Sequence, residues 1–531
     1  MKKILIILTL LLSIFFVDAQ NFQPSQQLQQ RKFVNAMSAI SNFYVDSIND
    51  KKLVETAIVA MLKELDPHSS YIPKEEVERV NEPLEGSFEG VGIQFQILED
   101  TLLVVQTISG CPAEKVGVLP GDRILYINEE LIAGVKVQNS DIMKKLRGPK
   151  GSEVTVKILR ADITELLTFK ITRDKIPIKS VDATYMIGKE IGYIKINNFG
   201  SNTIAEYKQA FASLKKKGMK HLILSLQGNG GGYLNAAIEL ADEFLGRDQL
   251  IVYTQGLRQP KKISNATGIG GFEKGKIIVL VDEYSASASE IVSGAIQDWD
   301  RGIIIGRRTF GKGLVQGQLP LVDGSVMRLT TARYYTPSGR CIQKPYKNGL
   351  DKYQKDIAER IKNGELLHSD SIHFPDSLRY ETLRLKRTVY GGGGIMPDVF
   401  VPFDTTRYTD YHRHLVSKGI INKVTTQYVN SNRSKLKKEF TTFDKFNKSF
   451  VVNEQFLTDL KNAGTKDKIE FNETQYNTSI ELIKLQLKAL VARDLWDMNE
   501  YYRVIDAENE SLQKAVEILN SKDAYEKILP L

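Results

Sequence analysis

The sequence predicts an α/β core, in which strands buried on both faces alternate with helices. Three short apolar runs rich in β-branched residues have the composition of such strands: His221–Leu226, Gly275–Val281 and Gly302–Gly306. Apolar residues at helical spacing occur between the strand-like runs, in Ile204–Lys217 and in Leu234–Leu245. This alternation indicates a mostly parallel sheet with helices on its faces.

Composition places the chain among ordinary soluble proteins with several domains. Its 531 residues are 42% hydrophobic and 26% charged, and the formal net charge is +8. No basic run is dense enough to indicate a nucleic-acid partner. The chain has no Cys-x-x-Cys motif and no His-Glu-x-x-His motif, so we expect neither a metal nor a cofactor.

The first residues have the pattern of a secretory signal peptide. Met1–Lys3 is positively charged, Ile4–Val17 is apolar, and Val17–Ala19 is a small-residue cleavage site. The apolar run of 14 residues is shorter than the roughly 20 that span a bilayer. We therefore expect residues 1–19 to be removed. The mature protein would be exported without a stable membrane span, and it would be periplasmic, either soluble or loosely membrane-associated.

The run Ser285-Ala-Ser287-Ala-Ser289-Glu290 lies between a predicted strand and a predicted helix. Backbone N–H groups at the start of a helix point outward and can bind an anion. One such anion is the oxyanion that forms when a serine oxygen attacks a carbonyl, so Ser287 is a candidate nucleophile. The alternative is structural, because Ser287 and Glu290 also fit a capping box. From these residues alone, capping is the simpler interpretation.

Lys312 is a candidate general base. It lies between Gly311 and Gly313 and has apolar neighbours, an environment that favours desolvation of its amine. Desolvation lowers the pKa of a lysine, and the neutral amine can then accept a proton from a serine hydroxyl. Gln316 follows four residues later and would hold the amine in line if the chain is extended there. The alternative is a solvated loop lysine.

A phosphate-binding loop is the other motif that this segment suggests. Gly306 to Lys312 fits the start of such a loop, but Gly313 stands where a Ser or Thr would coordinate magnesium. We therefore discount nucleotide binding.

Taken together, these residues resemble the carboxyl-terminal processing peptidases of family S41, which are tail-specific serine proteases with a Ser/Lys dyad. The resemblance rests on Asp-Glu-Tyr-Ser-Ala-Ser-Ala-Ser-Glu-Ile at 282–291, on Thr-Phe-Gly-Lys-Gly at 309–313 and on Gln316. It implies that Ser287 is the nucleophile and that Lys312, 25 residues later, is the base. Gln316 would complete a Ser/Lys/Gln triad.

The same resemblance implies a crotonase-like (ClpP-like) βαβ-superhelix for the catalytic core. The turn Gln-Gly-Asn-Gly-Gly-Gly at 227–232 is similar to one whose glycine N–H supplies half of the family's oxyanion hole. By position this glycine is Gly231, with Gly232 as the alternative. The N–H of Ala288 would supply the other half, and Asp298 matches an aspartate with a structural role near the site.

Residues Phe88 to about Arg173 resemble a PDZ domain inserted into this core. Its carboxylate-binding loop would consist of four residues: Gly90, Val91, Gly92 and Ile93. The resemblance implies capture of protein or peptide substrates that have an unstructured C-terminus with an apolar end. A regulatory plug over the active site is an equal alternative.

The expected organisation has five parts. They are a signal peptide at 1–19, a helical segment at 20–84, a PDZ domain at 85–173, a peptidase core at 174–403 with an insertion at about 346–390, and a mostly helical extension at 404–531. The extension has no catalytic motif, and three roles stay open: supporting an oligomer, docking a partner or buttressing the PDZ domain. A homo-oligomer would form through the N- or C-terminal helical segments.

These inferences predict an exported serine endopeptidase that cleaves proteins near their C-termini. The PDZ domain would capture the substrate tail, and the Ser/Lys dyad would cut it. Two alternatives stay open. One is a non-catalytic PDZ adaptor on a decayed hydrolase core, and the other is a crotonase-type acyl enzyme.

Overall fold

A computed structural model describes residues 24–160, 163–347 and 349–530 of the chain. The predicted signal peptide at 1–19 lies outside these residues. None of the described helices combines the length and the apolar character needed to cross a membrane.

Helices form most of the N-terminal segment. The elements are α1 Pro24–Phe43, α2 Asp50–Lys63, β1 Ser70–Ile72 and α3 Lys74–Glu85. Asn49 caps α2, because its side chain accepts a hydrogen bond from the Lys52 N–H. Of the described residues in α2 only Leu62 is buried, whereas Met61 is 51% exposed. The apolar side of this helix is therefore only partly covered.

An antiparallel sheet with two helices follows, at the place of the predicted PDZ domain. The elements are β2 Ser87–Gly90, β3 Ile93–Leu98, β4 Thr101–Thr107, α4 Pro112–Lys115, β5 Arg123–Ile127, β6 Glu130–Leu131, α5 Asn139–Leu146, β7 Glu153–Leu159, β8 Leu167–Thr172 and β9 Asp174–Pro177. The strand order is β3-β4-β5-β7-β8, with β6 on β5. In the described part of the chain, β3 pairs only with β4, so its other edge is open. A ribbon of β2 and β9 joins the two ends of this domain.

The core begins at β10 and contains the parallel sheet. Its elements are β10 Val181–Ile187, β11 Ile191–Ile196, α6 Thr203–Lys216, β12 His221–Ser225, α7 Leu234–Asp242, β13 Leu250–Gln255, β14 Lys262–Asn265, β15 Ile277–Val281, α8 Ala288–Asp298, β16 Ile303–Gly306, β17 Leu314–Pro320 and β18 Val326–Tyr335. The segment after β18 contains α9 Leu350–Gln354, α10 Asp356–Lys362, β19 Arg379–Glu381, β20 Thr388–Tyr390 and β21 Val399–Phe400.

Two sheets organise these elements. The first has the order β10-β11-β12-β15-β16-β21 and is parallel except for the pairing of β10 with β11. Every residue of β15 and β16 is buried, as expected for strands covered on both faces. The second sheet has the order β1-β18-β13-β14, with β17 on β18. The predicted α/β core is thus confirmed.

The C-terminal extension is helical. Its helices are α11 Asp410–Ser417, α12 Ile420–Glu439, α13 Phe443–Ser449, α14 Glu454–Lys466, α15 Glu473–Leu495, α16 Met498–Ile505, α17 Glu510–Asn520 and α18 Ala524–Ile528. Helices α11–α16 share a core of their own. They contact the antiparallel domain at the end of β4, where the Gln106 side chain donates to the Trp496 carbonyl at 3.2 Å.

The last two helices cover the second face of the parallel sheet. One face of that sheet packs against α6, α7 and α8. The other face packs against apolar side chains of α17 and α18, including Leu512, Ile518 and Tyr525. The Tyr525 hydroxyl also donates to the carbonyl of Ile277 at 3.1 Å. These two helices of the extension are therefore part of the core packing.

We expect Ile518→Ala to destabilise the parallel sheet, because it removes buried contacts beneath the sheet and costs about 2–5 kcal/mol. The chain has 2 tryptophans, and Trp299 lies in the core while Trp496 lies among the C-terminal helices. Thermal unfolding followed by Trp299 fluorescence in a Trp496→Phe background measures the effect. Asn520→Ala, at the exposed end of α17, is the control. An unchanged Trp299 transition in Ile518→Ala would contradict this packing.

Candidate active site

Two turns meet at the carboxyl edge of the parallel sheet. Residues 227–232 follow β12, and residues 282–287 follow the neighbouring strand β15. Asn229 joins the two turns, because its carbonyl accepts hydrogen bonds from the Ala286 N–H at 3.0 Å and from the Ser289 hydroxyl at 2.9 Å. Adjacent parallel strands thus bring the predicted nucleophile turn and the predicted oxyanion turn together.

The three serines of the run differ in their surroundings. Ser285 is fully buried, and its hydroxyl donates to the Leu226 carbonyl at 2.8 Å. Ser289 is also fully buried and donates to Asn229. Ser287 is half-buried on the wall of a cavity, where it begins α8 in the predicted capping box with Glu290. Among the described side chains and backbone, its hydroxyl donates no hydrogen bond. Of the three hydroxyls, that of Ser287 is the one available to a ligand.

Ser287 also has an unusual backbone conformation. Its φ is 56° and its ψ is −111°, a region that residues other than glycine rarely adopt. Strain of this kind persists where surrounding contacts fix it, and it is concentrated at functional sites. Here the Ser287 N–H donates to the Glu290 carboxylate at 2.8 Å, and the Tyr334 hydroxyl donates to the Ser287 carbonyl at 3.2 Å.

The Glu290 carboxylate links the serine turn to the lysine loop, residues 308–313. Besides the Ser287 N–H, it accepts hydrogen bonds from the Thr309 hydroxyl at 2.5 Å, the Gly311 N–H at 2.7 Å and the Lys312 N–H at 2.8 Å. The side chain is fully buried, and this burial raises its pKa while the hydrogen bonds oppose the rise. The capping partner suggested by the sequence is therefore also a tie between two loops.

Lys312 lies in the same cavity as Ser287. Burial lowers the pKa of its amine, and the nearby Arg328 lowers it further, whereas Glu290 and Asp66 oppose the shift. Gly311 must be glycine, because its φ is +88° and a methyl group there would lie 3.1 Å from the backbone nitrogen of Gly394. The loop thus fixes a lysine whose neutral form is populated at a lower pH than in water.

The cavity has a volume of about 780 Å³. Its walls include the predicted residues Ser287, Ala288, Lys312 and Gln316, and also carry apolar side chains: Leu84, Ile204, Leu234, Ile291, Leu314 and Tyr334. The described side chains include no hydrogen bond between Ser287 Oγ and Lys312 Nζ. The two residues therefore line one cavity without a hydrogen bond between their side chains.

The glycine turn packs directly on the serine. Gly231 has a φ of +102°, and a methyl group there would lie 2.8 Å from Ser287 Cβ and 3.0 Å from the Ala288 nitrogen. Its own N–H donates to the Asn229 side chain at 2.8 Å, so it is engaged within the turn. Gly232, the alternative oxyanion donor, lines the cavity together with Ala288. Among the described residues, neither the Gly232 N–H nor the Ala288 N–H has a hydrogen-bond acceptor.

Gln316 is connected to a residue that the sequence analysis missed. Its amide donates to the Thr330 hydroxyl at 3.3 Å, which in turn donates to the Asp66 carboxylate at 3.0 Å. Asp66 is buried and also accepts from the Ser69 hydroxyl at 2.6 Å. The polar run Asp-Pro-His-Ser-Ser at 66–70 was the available signal.

His68, in the same run, lies close to the lysine. Burial lowers its pKa to about 4, and Lys312 and Lys344 contribute in the same direction. The imidazole is therefore neutral at pH 7, and its Nε2 lies 2.7 Å from the Tyr353 hydroxyl. A neutral histidine adds no further positive charge beside the Lys312 amine.

Asp298 lies outside the cavity, at the end of α8. Its carboxylate forms an ion pair with Arg340 at 2.7 Å, and both side chains are fully buried. It also accepts from the Ser338 N–H at 2.9 Å. These contacts attach the 338–340 turn to α8. They match the structural role predicted for this aspartate, which stays a prediction.

The four predicted carboxylate-binding residues, Gly90, Val91, Gly92 and Ile93, lie in the antiparallel domain and do not line the cavity. They lead into the open-edged strand β3. Gly92 has a φ of +80°, and a methyl group there would lie 2.5 Å from Cys111 Cβ. In residues 24–160, 163–347 and 349–530, no three His, Cys, Asp or Glu side chains are grouped as a metal site requires.

Four segments match known protein families. Residues 190–352 match peptidase family S41, and residues 90–171 match the PDZ domain. Residues 16–76 match the N-terminal domain of the activating protease CtpB. Residues 411–497 match a family of unknown function, DUF8443. The predicted PDZ domain is thus confirmed.

Relatives that are similar in sequence agree with these matches. A carboxy-terminal-processing protease of Bartonella bacilliformis is 38% identical over 328 residues, which are 61% of this chain and 74% of the relative. The carboxy-terminal processing protease CtpB of Bacillus subtilis is 36% identical over 318 residues, 59% of this chain and 65% of the relative. The solved photosystem II D1 C-terminal processing protease is 30% identical and covers 61% of this chain and 91% of its own, with a TM-score of 0.34. On the strength of the sequence relatives, the chain belongs to the carboxy-terminal processing proteases of peptidase family S41, which are serine-type peptidases.

Proposed function

We propose that the protein is an exported serine endopeptidase that cleaves proteins near their C-termini with Ser287 as nucleophile and Lys312 as general base. One observation carries the assignment. Ser287 and Lys312 line one cavity, whereas the hydroxyls of Ser285 and Ser289 are buried and hydrogen-bonded to backbone carbonyls. The names of the relatives support the same activity.

In the first step, the neutral Lys312 amine takes the proton of the Ser287 hydroxyl. The serine oxygen forms a bond to the carbonyl carbon of the substrate, and the electrons of the C=O bond move to its oxygen. The lowered pKa of Lys312 favours the neutral amine that this step requires. Catalytic hydrogen bonds are often long or poorly aligned in ligand-free enzymes, so we propose that the Oγ–Nζ hydrogen bond forms on substrate binding.

The oxyanion would be held by backbone N–H groups on the cavity wall. The Ala288 N–H lies directly after the nucleophile and is unpaired in the described chain. For the second donor, the engagement of the Gly231 N–H with Asn229 favours Gly232, the alternative identified from the sequence. Stabilisation of the oxyanion by such fixed donors is typically the largest single contribution to acyl transfer.

The second half of the reaction returns the proton. The Lys312 ammonium donates to the leaving amine as the C–N bond breaks, and a water molecule then hydrolyses the acyl-enzyme. Gln316 would orient the lysine, and its link through Thr330 to the buried Asp66 would hold the glutamine in place. The residues proposed for these steps include no metal ligand.

The PDZ domain would capture the substrate tail. A peptide can add as a strand to the open edge of β3, with its carboxylate at the N–H groups of residues 90–93. The expected cargo is an unstructured C-terminus with an apolar end. We also propose export through the signal peptide at 1–19 and a periplasmic location. The charged, apolar and small-residue pattern of residues 1–19 supports that proposal.

We expect Ser287→Ala and Lys312→Ala each to lower kcat for cleavage of an unfolded peptide by about 10³-fold or more, because either change removes a dyad member. Ser289→Ala, which loses a buried hydroxyl outside the cavity, is the matched control and should stay within about tenfold. The wild-type rate should rise with pH through a Lys312 pKa below the ordinary 10.5, because protonated lysine cannot accept the serine proton. Full activity of either dyad variant would refute the assignment.

Substrate capture by the PDZ domain predicts that the free carboxylate of the peptide matters. Amidation of an apolar C-terminus removes the charge that the loop N–H groups would bind, and such hydrogen bonds contribute about 1.5–3 kcal/mol. We expect KM to rise about tenfold or more with little change in kcat. Acetylation of the N-terminus of the same peptide serves as the control. Equal KM values for the free and amidated peptides would contradict capture through the carboxylate.

A further inference from the structure

The lysine loop is bound on its carbonyl side by a single arginine. Arg360 lies on α10, within the predicted insertion and beyond the residues that match family S41. Its Nη1 donates to the carbonyls of Thr309 at 2.9 Å and Arg308 at 3.4 Å, and its Nη2 donates to the carbonyl of Phe310 at 3.1 Å. One planar guanidinium thus binds three successive carbonyls, an arrangement that the compact ammonium of lysine cannot reproduce.

The Arg360 guanidinium is buried, and neighbouring groups compensate its positive charge. Arg360 is 2% exposed, and burial followed by the proximity of Arg308 lowers its pKa to about 10, so it stays charged at pH 7. Asp356 lies 2.9 Å from the guanidinium and also binds the Lys344 amine at 2.9 Å. A buried charge is costly unless such partners surround it. A simple attachment of the insertion to the core would not need a cation here.

Glu290 binds the opposite side of the loop, because its carboxylate accepts hydrogen bonds from the N–H groups of Gly311 and Lys312. The next carbonyl, that of Gly311, accepts from the Lys344 N–H at 2.9 Å. In the segment that leads to the lysine, backbone N–H groups and backbone carbonyls are therefore both held by hydrogen bonds. Proton transfer depends on placement of the base to within a fraction of an ångström.

We propose that Arg360 is a positioning residue for Lys312, and that the insertion serves catalysis by holding the lysine loop in one conformation. The inference rests on the proposed Ser287/Lys312 dyad. Without the three carbonyl contacts the loop would sample several positions. Water would then reach the Lys312 amine, and the desolvation that lowers its pKa would weaken.

Arg360→Lys tests the inference, because it keeps the charge and removes the fork of donors. We expect kcat for an unfolded peptide to fall about 10- to 100-fold while KM changes less than about twofold. The acid limb of the pH–rate profile should move to higher pH, because a more hydrated Lys312 has a higher pKa and stays protonated to a higher pH. Both effects are read from kcat and KM measured across pH.

Glu365→Gln is the matched control. Glu365 belongs to the same segment and forms a part-buried ion pair with the Arg308 side chain, but it does not touch the loop carbonyls. It should lower the unfolding temperature and leave the pH–rate profile at the wild-type position. If Arg360→Lys gives the same kcat and the same acid limb as Glu365→Gln, the arginine is merely structural and the inference is overturned.

Two further variants complete the test. If Arg360→Lys fails to reproduce the wild-type circular dichroism spectrum, Asp356→Asn replaces it, because it removes the counterion and leaves the guanidinium. The same alkaline shift then supports the inference, and an unshifted limb overturns it. Lys312→Ala separates the two hypotheses. Full activity in Lys312→Ala overturns the dyad and this inference together, whereas an inactive Lys312→Ala with an unshifted Arg360→Lys profile overturns this inference alone.

Discussion

The geometry of the site depends on one buried carboxylate, that of Glu290. It accepts the N–H of Ser287 from the turn before α8 and the N–H groups of Gly311 and Lys312 from the lysine loop. Solvent does not reach this side chain, so each lost hydrogen bond would leave buried charge unsatisfied at considerable cost. Glu290 thereby fixes the relation between a serine and a lysine that are 25 residues apart.

Segments outside the S41 match hold this arrangement from three directions. The N-terminal segment supplies Asp66, which binds Thr330 behind Gln316. The insertion supplies Arg360 to the carbonyls of the lysine loop. The C-terminal helix α17 packs beneath the parallel sheet that carries the serine turn. The N-terminal segment, the insertion and the C-terminal extension therefore all support the cavity, although the proposed reacting groups lie in two short motifs.

The sequence predicted those parts of the structure that can be recognised within a short run of residues. Strands β15 and β16 are continuous apolar runs, which the pattern predicted. Ser287 and Lys312 lie in short motifs, so the resemblance identified them as candidates. Glu290 was interpreted only as a cap, because its other partners lie 19 to 22 residues away and meet it through packing. Asp66 was missed because Thr330 lies 264 residues further along the chain. The engagement of the Gly231 N–H by Asn229 depends on turn geometry that spacing does not specify.

The central claim is that Glu290 places Ser287 and Lys312 for reaction, and the rate of Ser287 phosphonylation by a fluorophosphonate tests it most directly. In that reaction the serine oxygen bonds to phosphorus, fluoride leaves and the base takes the proton. We expect Glu290→Gln to react about 100-fold more slowly than wild type, because an amide cannot accept all four hydrogen bonds. Glu283→Gln, a nearby buried carboxylate paired with Arg307, should react at close to the wild-type rate. Equal rates for Glu290→Gln and wild type would contradict the account.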